Sequence, residues 1–402
     1  MLPVAEARAR IVAALPVMPA ETVDLRHAAG RVLAEDVTAR RTQPPFDASA
    51  MDGWACRQAD LGTLPARLKP VGEAAAGGRH AGTVGPGECV RIFTGAPLPA
   101  GADAIVIQED ADLQPDGSLL VREAPKPGQW IRRAGLDFAA GQVLLQAGRL
   151  LAPEDVALAA AMNVPWLAVR RRPRIAVLAT GDELVRPGDP VGENQIVSSN
   201  NIGIAALIEA RGGIATDLGI ARDTEADLRS KADAAAGHDL LVTLGGASVG
   251  EHDLIHAVLG GGGAGIDFWR IAMRPGKPLM FGRAGIAGGA IPLLGLPGNP
   301  VSAFVCAHNF LVPALRAMLG LDWTVGFDSA VTAEDLPAND RREDYLRASL
   351  RQDPQHGLTV SMFARQDSSM LRLLSAADCL IVRPPLAPAL PAGSPVPILR
   401  LR

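Results

Sequence analysis

Two aliphatic runs constrain this chain more than any other feature. Ile175-Ala176-Val177-Leu178 and Asp239-Leu240-Leu241-Val242-Thr243-Leu244 show no alternation of polar and apolar residues. That is the pattern of strands buried on both faces. Between the runs the period changes. A helix is expected from about Asn201 to Glu209, stopped by Gly212-Gly213. Another should start at Thr224, where Asp227 three residues on resembles a capping box. Strands alternating with helices imply a parallel sheet with helices on both faces. Ligands on such sheets bind beyond the carboxyl ends of the strands. The loops that follow Thr180 and Leu244 are therefore the first places to look for function.

A chain of 402 residues has room for about two to four domains, and the pattern changes on either side of the α/β unit. The N-terminus reads as an amphipathic helix with Glu6, Arg8 and Arg10 among its apolar residues, followed by extended chain around residues 31–42. From Pro44 to Ala139 short apolar runs such as Cys89-Val90-Arg91-Ile92-Phe93 and Ala104-Ile105-Val106-Ile107 are punctuated by Gly and Pro, which suggests a small β-domain. A helix is expected at Pro153, with Glu154 and Asp155 in its first turn and Asn163 past its end. After about Leu321 the pattern reverts to short strands: Tyr345-Leu346-Arg347-Ala348, Leu358-Thr359-Val360 and Cys379-Leu380-Ile381-Val382.

Charge and cysteine usage exclude several classes. The net charge is −4, so bulk attraction to nucleic acid or an anionic membrane is not how this chain works. Four widely spaced cysteines without a CxxC pair fit a reduced cytoplasmic setting, with Cys306 read as a small buried hydrophobe. Residues 284–315 carry no Asp, Glu, Lys or Arg, but four prolines and five glycines interrupt them. A lipid-exposed span could not satisfy that broken backbone. The expectation is a buried strand, a turn and a buried helix, in a protein with no membrane role.

Three loops of the α/β unit could carry chemistry. Thr180-Gly181-Asp182-Glu183-Leu184 places two carboxylates beyond a strand end. The loop at residues 245–253 opens with Gly245-Gly246, whose backbone can close on an anion, and includes Ser248 and Asp253, the latter a possible metal ligand. Pro297-Gly298-Asn299-Pro300-Val301-Ser302 enters a helix with Asn299 as N-cap and Pro300 at N1, leaving first-turn N–H groups free for an anion. Any one alone is an ordinary turn; three on one sheet point to a site. Arg274-Pro275-Gly276-Lys277-Pro278, near Arg270, adds cations. The chain has four lysines against thirty-five arginines, and it keeps one of them here, where a compact point charge suits a phosphate or oxyanion. His252-Asp253-Leu254-Ile255-His256 only superficially resembles a zinc-protease helix: Asp has the wrong reach and no third ligand follows. No Walker A motif and no GxGxxG opening a helix is present.

Taken together, the chain resembles the MoeA family of molybdopterin molybdenumtransferases, which includes the gephyrin E domain. The matching pieces are residues 46–55, 91–97 with Gly101-Ala102-Asp103, 131–133 with Asp137, 180–184, 245–253, 274–278, 296–302 and 368–371, in family order. The resemblance implies a multidomain α/β plus β fold. Residues 1–43 and 140–170 would form a discontinuous domain, and 44–139 an inserted β-rich domain. Residues 171–320 would be the mostly parallel α/β domain that binds molybdopterin, and 321–402 a β-barrel. It implies a head-to-tail homodimer, with the site where the α/β domain of one subunit meets segment 44–139 of the other. The implied reaction consumes adenylated molybdopterin and molybdate and releases AMP.

The resemblance also implies roles. Asp52, Thr94, Arg132, Asp137, Glu183, Asp223 and Asp253 would serve catalysis, and Glu183, Asp223 and Asp253 would hold Mg²⁺. Thr180, Gly181, Gly245, Gly246, Ser248, Arg270, Arg274, Lys277, Pro297, Asn299, Pro300 and Ser302 would bind substrate. Arg347, Ser368 and Ser369 from the last domain would help receive molybdate. A molybdopterin adenylyltransferase-type protein and molybdoenzyme maturation factors are implied as partners, and nucleic acid is not. The alternatives are an adenylyltransferase, whose single domain resembles residues 171–320, or a scaffold of the gephyrin type. Arg270 and Arg274 stand where many relatives have Lys, Trp54 where Tyr is usual and Ala247 where Val is usual.

Overall fold

The computed structural model describes residues 1–245, 254–259, 265–354 and 357–401. Two compact units emerge: Thr22–Ala29 with Leu33–Ala168, and Met1–Glu21 with Gly30–Val32 and Val169–Arg402.

The first unit is built on a six-stranded sheet. Its strands are β1 (Gly53–Cys56), β2 (Ala66–Ala74), β3 (Glu88–Ile92), β4 (Ala104–Ile107), β5 (Ala111–Leu113) and β6 (Leu119–Val121), in the order β4-β1-β3-β2-β6-β5. Period-two alternation sends Ala55, Val90, Ile92 and Ile105 to one apolar cluster and Cys56, Cys89, Ala104 and Val106 to another. Both faces are therefore covered. The helix expected at Pro153 spans Pro153–Ala161. Asp155 Oδ2 accepts from Ala152 N–H at 3.0 Å, and Asn163 closes the helix with φ +63°.

The second unit carries the α/β fold. Its sheet comprises β7 (Arg174–Thr180), β8 (Ile214–Ala221), β9 (Leu240–Leu244), β10 (Ile266–Phe268), β11 (Met280–Ile286) and β12 (Gly289–Leu296), ordered β8-β7-β9-β12-β11-β10. Strands β8, β7, β9 and β12 are parallel, and β11 and β10 add an antiparallel edge. Ile175, Val177 and Ala179 pack with helices Val4–Ala13, Asn200–Ala210 and Pro300–Cys306. Ala176 and Leu178 pack on the other side with Glu225–Asp233 and Leu254–Leu259. Helices thus cover both faces, as the uninterrupted aliphatic runs require. Residues 284–315 depart from the expected single strand. A hairpin turns at Gly288 (φ +90°) and Gly289 (φ +137°), so two strands precede the helix. The helical run Pro300–Met318 is long and apolar enough to cross a membrane, but 78% of its apolar window is buried inside the molecule. It is a core element here.

The Thr224 cap forms, with Asp227 N–H donating to its Oγ1 at 3.3 Å. The reciprocal bond differs from the capping box: Asp227 Oδ2 accepts from Arg222 N–H at 2.8 Å instead. The C-terminal strands are β13 (Asp328–Thr332), β14 (Glu343–Asp353), β15 (Gly357–Met362), β16 (Cys379–Arg383) and β17 (Pro395–Arg400). They close as β14-β15-β13-β17-β16 and back to β14, a five-stranded barrel around Ala348, Val360, Cys379, Ile381, Val396 and Ile398.

Candidate active site

A cleft of about 930 Å³ opens beyond the carboxyl ends of β7, β9 and β12, where a parallel sheet presents its ligand site. Thr180, Gly181, Glu183, Asp223, Gly245, Pro297, Asn299, Pro300 and Ser302 line it, and Ser369 joins them from the C-terminal region. All nine come from the three strand-end loops and from the end of β8. Gly246, Ala247, Ser248, His252 and Asp253 lie outside the described residues.

The cleft floor needs glycine at two places. Gly245 holds φ +95°, and a Cβ there would stand 2.8 Å from the Thr180 carbonyl oxygen. Gly181, at φ +145°, would meet the Glu183 carboxylate at 2.5 Å. Asn299 has the extended backbone of an N-cap (φ −65°, ψ 128°) and Pro300 follows at the first helical position, as expected. Its side chain does not cap, however; Asn299 Nδ2 donates to Ser368 Oγ at 3.2 Å. The first-turn N–H groups are left to other acceptors, and Val301 N–H donates to the Ser368 carbonyl at 3.0 Å.

Glu183 and Asp223 are both exposed and face the cleft. Among the described residues no hydrogen bond or ion pair engages either carboxylate. Asp223 N–H donates to Asp182 Oδ1 at 3.1 Å, which ties the two loops together. The described residues contain no group of three or more His, Cys, Asp or Glu able to enclose a metal. Two open carboxylates beside a floor of glycines and a helix entry have the donor set that Mg²⁺ takes, since that ion keeps its waters and uses one or two protein carboxylates.

The expected cations are placed differently. Arg274 does not line the cleft: it pairs with Asp340 at 3.3 Å and with Asp344 at the start of the barrel. Arg270 is exposed, with its guanidinium 5.4 Å from the Trp269 ring centroid. Lys277 is exposed on its turn, whose next residue, Pro278, does line the cleft. Gly276 supports that turn at φ +112°, where a Cβ would meet Cys306 Sγ at 2.5 Å. Arg347 is 1% exposed and does not line the cleft either. Its guanidinium donates to the Met370 carbonyl at 3.3 Å and to Gln366 Oε1 at 3.3 Å, and burial lowers its proton affinity.

In the other unit, the expected residues converge on the segment 43–52. The 94–98 turn bonds to one side of it, through Gly95 N–H to Ser49 O and Leu98 N–H to Asp47 O, both at 2.8 Å. Residues 130–138 bond to the other side: Ala48 and Ser49 pair with Arg132 and Ile131, and Asp137 N–H donates to Gln43 O at 3.0 Å. Asp52 Oδ1 accepts from both the N–H and the hydroxyl of Thr94 at 2.8 Å. Those two donors, with Arg91 nearby, hold the Asp52 carboxyl below the usual carboxylate range. Arg91 is itself fixed over Trp54 (5.3 Å) and Phe93 (5.2 Å). Arg132 and Asp137 are exposed.

All four cysteines are free and buried. Burial pushes the thiols of Cys56, Cys89 and Cys379 up to about 12, so none of these three supplies a thiolate.

Sequence reasoning missed part of the lining: Ile196, Val197, Ser198, Ser199 and Asn200; Pro278 ends the basic turn 274–278 that the sequence offers. Asn200 could have been found, because it lies at a helix entry with Ser199 as N-cap, and its Nδ2 donates to the Gly298 carbonyl at 2.6 Å. The exposed pair Ile196 and Val197 left no signal, since their two-residue strand is shorter than any detectable pattern.

Three family models match the chain in order. They are the MoeA N-terminal region (domain I and II) at residues 2–163, the probable molybdopterin binding domain at 176–317 and the MoeA C-terminal region (domain IV) at 329–401. The chain is 36% identical to the molybdopterin molybdenumtransferase of Haemophilus influenzae, covering 95% of this chain and 94% of that one. The chain belongs to the MoeA family. This MoeA-family chain is also 39% identical to molybdopterin molybdenumtransferase 2 of Mycobacterium tuberculosis, over 90% of each chain. The crystal structure of the molybdopterin biosynthesis MoeA protein from Pyrococcus horikosii superposes with a TM-score of 0.84 at 28% identity, covering 100% of this chain and 99% of that one. The α/β fold with its flanking β regions thus belongs to a MoeA architecture.

Proposed function

We infer that this protein is an enzyme, a molybdopterin molybdenumtransferase: it takes adenylated molybdopterin and molybdate, releases AMP and leaves molybdenum on the dithiolene. The observation that carries the reading is the cleft itself. Its floor of glycines and helix first-turn N–H groups suits a phosphoanhydride, two open carboxylates stand beside that floor, and a serine turn from the barrel completes the wall. The names of the relatives support the same activity.

Within this reading, Thr180, Gly181, Gly245, Gly246 and Ser248 bind the pterin phosphates, and Pro297, Asn299, Pro300 and Ser302 orient them at the helix entry. Arg270 and Lys277 attract the anions. Arg274 does so as well, in exchange for its carboxylate partners, and Arg347 acts through the turn bearing Ser368 and Ser369. Mg²⁺ held by Glu183 and Asp223, with Asp253 as a third carboxylate, would neutralise charge on the phosphate oxygens. An oxygen of molybdate or water attacks the AMP phosphorus, and the anhydride P–O bond breaks with the pterin phosphate as leaving group. Water frees AMP from a molybdate adduct, and the two dithiolene thiols replace two molybdate oxygens, which leave as water with the thiol protons. Positioning and electrostatics provide the acceleration, and the protein supplies no nucleophile. Asp52, Thr94, Arg132 and Asp137 complete the site from a second subunit of a head-to-tail homodimer.

The four-part division into 1–43 with 140–170, 44–139, 171–320 and 321–402 is supported by the separate sheets and by the order of the family matches. A cytoplasmic location is supported by four unpaired cysteines. The adenylyltransferase alternative would use only the α/β domain and leaves the N- and C-terminal MoeA regions unaccounted for. The decisive experiment incubates the purified protein with adenylated molybdopterin and Mg²⁺, with and without molybdate. AMP release that depends on molybdate is expected; release that ignores molybdate would sink the assignment.

A further inference from the structure

Strand β15 ends at Met362, where its ladder with β14 pairs Met362 with Ala348. The next rung is half-made by backbone: Phe363 N–H donates to the Arg347 carbonyl at 3.0 Å. Its other half is made by a side chain. Gln366 Oε1 accepts from Arg347 N–H at 3.0 Å, taking the place of the missing strand carbonyl. The same oxygen accepts from Arg347 Nε at 3.3 Å, while Gln366 Nε2 donates to the carbonyls of Arg347 and Phe363, both at 2.9 Å. A flipped amide would set donors against donors and an acceptor against acceptors, so this orientation is fixed by its partners.

The substitution lets the chain leave the barrel and run to the cleft. Two and three residues on, Ser368 receives Asn299 Nδ2 and Val301 N–H, and Ser369 lines the cleft. Ser369 is held in turn by Asp367 Oδ1, which accepts from its N–H at 2.8 Å and its hydroxyl at 2.6 Å. One amide therefore links the barrel ladder to the segment that lines the cleft at Ser369.

We propose that Gln366 is a positioning residue for oxyanion capture: it sets the Ser368 and Ser369 turn against the helix entry, and so tunes the affinity for molybdate and not that for the adenylated pterin. The proposal rests on the function inferred above. Gln366→Met preserves size and removes all four hydrogen bonds. It is expected to raise KM for molybdate about tenfold, the effect of one misplaced charge-assisted hydrogen bond. The kcat and the KM for adenylated molybdopterin should stay within about twofold, because the remaining walls do not depend on this amide. Gln366→Glu keeps the acceptor toward Arg347 and loses both donations, so an intermediate molybdate KM is expected. It also decides the matter if the Met variant does not fold.

Calorimetric titration with molybdate alone gives an independent readout, and its affinity should fall in the same ratio. Wild-type protein without molybdate-dependent turnover would defeat the functional reading, and the positioning role would then stand or fall on the calorimetry. An unchanged molybdate KM and affinity in both folded variants overturns the proposal. So does a proportional loss in every parameter, and so does a wild type that binds no molybdate.

Discussion

In the α/β unit, Glu183 and Asp223 present carboxylates that no described hydrogen bond engages, whereas in the N-terminal unit Asp52 already accepts two from Thr94. The two regions use the same functional group under opposite constraints. An unengaged carboxylate must stay hydrated, and both cleft carboxylates sit exposed on loops beyond strand ends. Such a group is available to a cation or a substrate. A carboxylate whose oxygen accepts from a neighbouring turn fixes that turn, and Asp52 Oδ1 holds the Thr94 turn against the 43–52 segment. The cleft carboxylates are therefore open, whereas the Asp52 carboxylate is tied to the Thr94 turn.

The sharpest way to break that contrast is Glu183→Gln. If its open carboxylate serves the reaction, kcat should fall by about a hundredfold to a thousandfold, with circular dichroism unchanged; near-normal AMP release would refute the role. Gly245→Ala comes next, because the new Cβ meets the Thr180 backbone at a positive φ. A loss of about 1–3 kcal/mol in denaturant unfolding is expected, together with weaker substrate binding. An Ala variant as stable as wild type would mean that the floor has other ways to relax. Asp52→Asn should cost less activity than Glu183→Gln and should speed amide exchange at residues 94–96, which hydrogen-exchange mass spectrometry would resolve. Equal activity losses with unchanged exchange would erase the distinction between the regions.

The smallest effect concerns acid. The Asp52 carboxyl is held down by Thr94, Asp47 by the Ala134 N–H and Arg133, and Asp340 to about 2 by Arg342. A carboxyl with a depressed folded pKa adds stability that is complete above its unfolded value, about 4, and is lost as pH falls through the folded value. Stability should therefore hold down to about pH 5 and decline toward pH 2 in a thermal-melt series. Because the Asp52 and Asp47 groups are solvent-screened, the decline should be shallow. A sharp collapse near pH 5 would point to a different, more buried group.

Much of the cleft was legible because its parts are local. Ile175-Ala176-Val177-Leu178 announces a buried strand, Asn299-Pro300 a helix entry, and Gly245 a turn; the parallel-sheet rule then assembles them at one edge. The cations were less legible. Arg274 belongs to a basic turn in the sequence, but Asp340 and Asp344 lie well downstream and claim it only through the fold. Arg347 reads from the sequence as an anion ligand, but it is buried and its guanidinium donates to the Met370 carbonyl. Gln366 gave no signal at all, because a lone glutamine after a strand is ordinary until its partners are seen.

The sequence by itself determined the α/β alternation, the flanking β regions, the family and the loops of the cleft, since each depends on periodicity or on residues a few positions apart. Only the tertiary structure decided which charges stay open, which are spent on partners, and how the barrel reaches the cleft. Those outcomes depend on pairings between residues distant in sequence, and a linear pattern carries no information about which of several equally charged neighbours will meet.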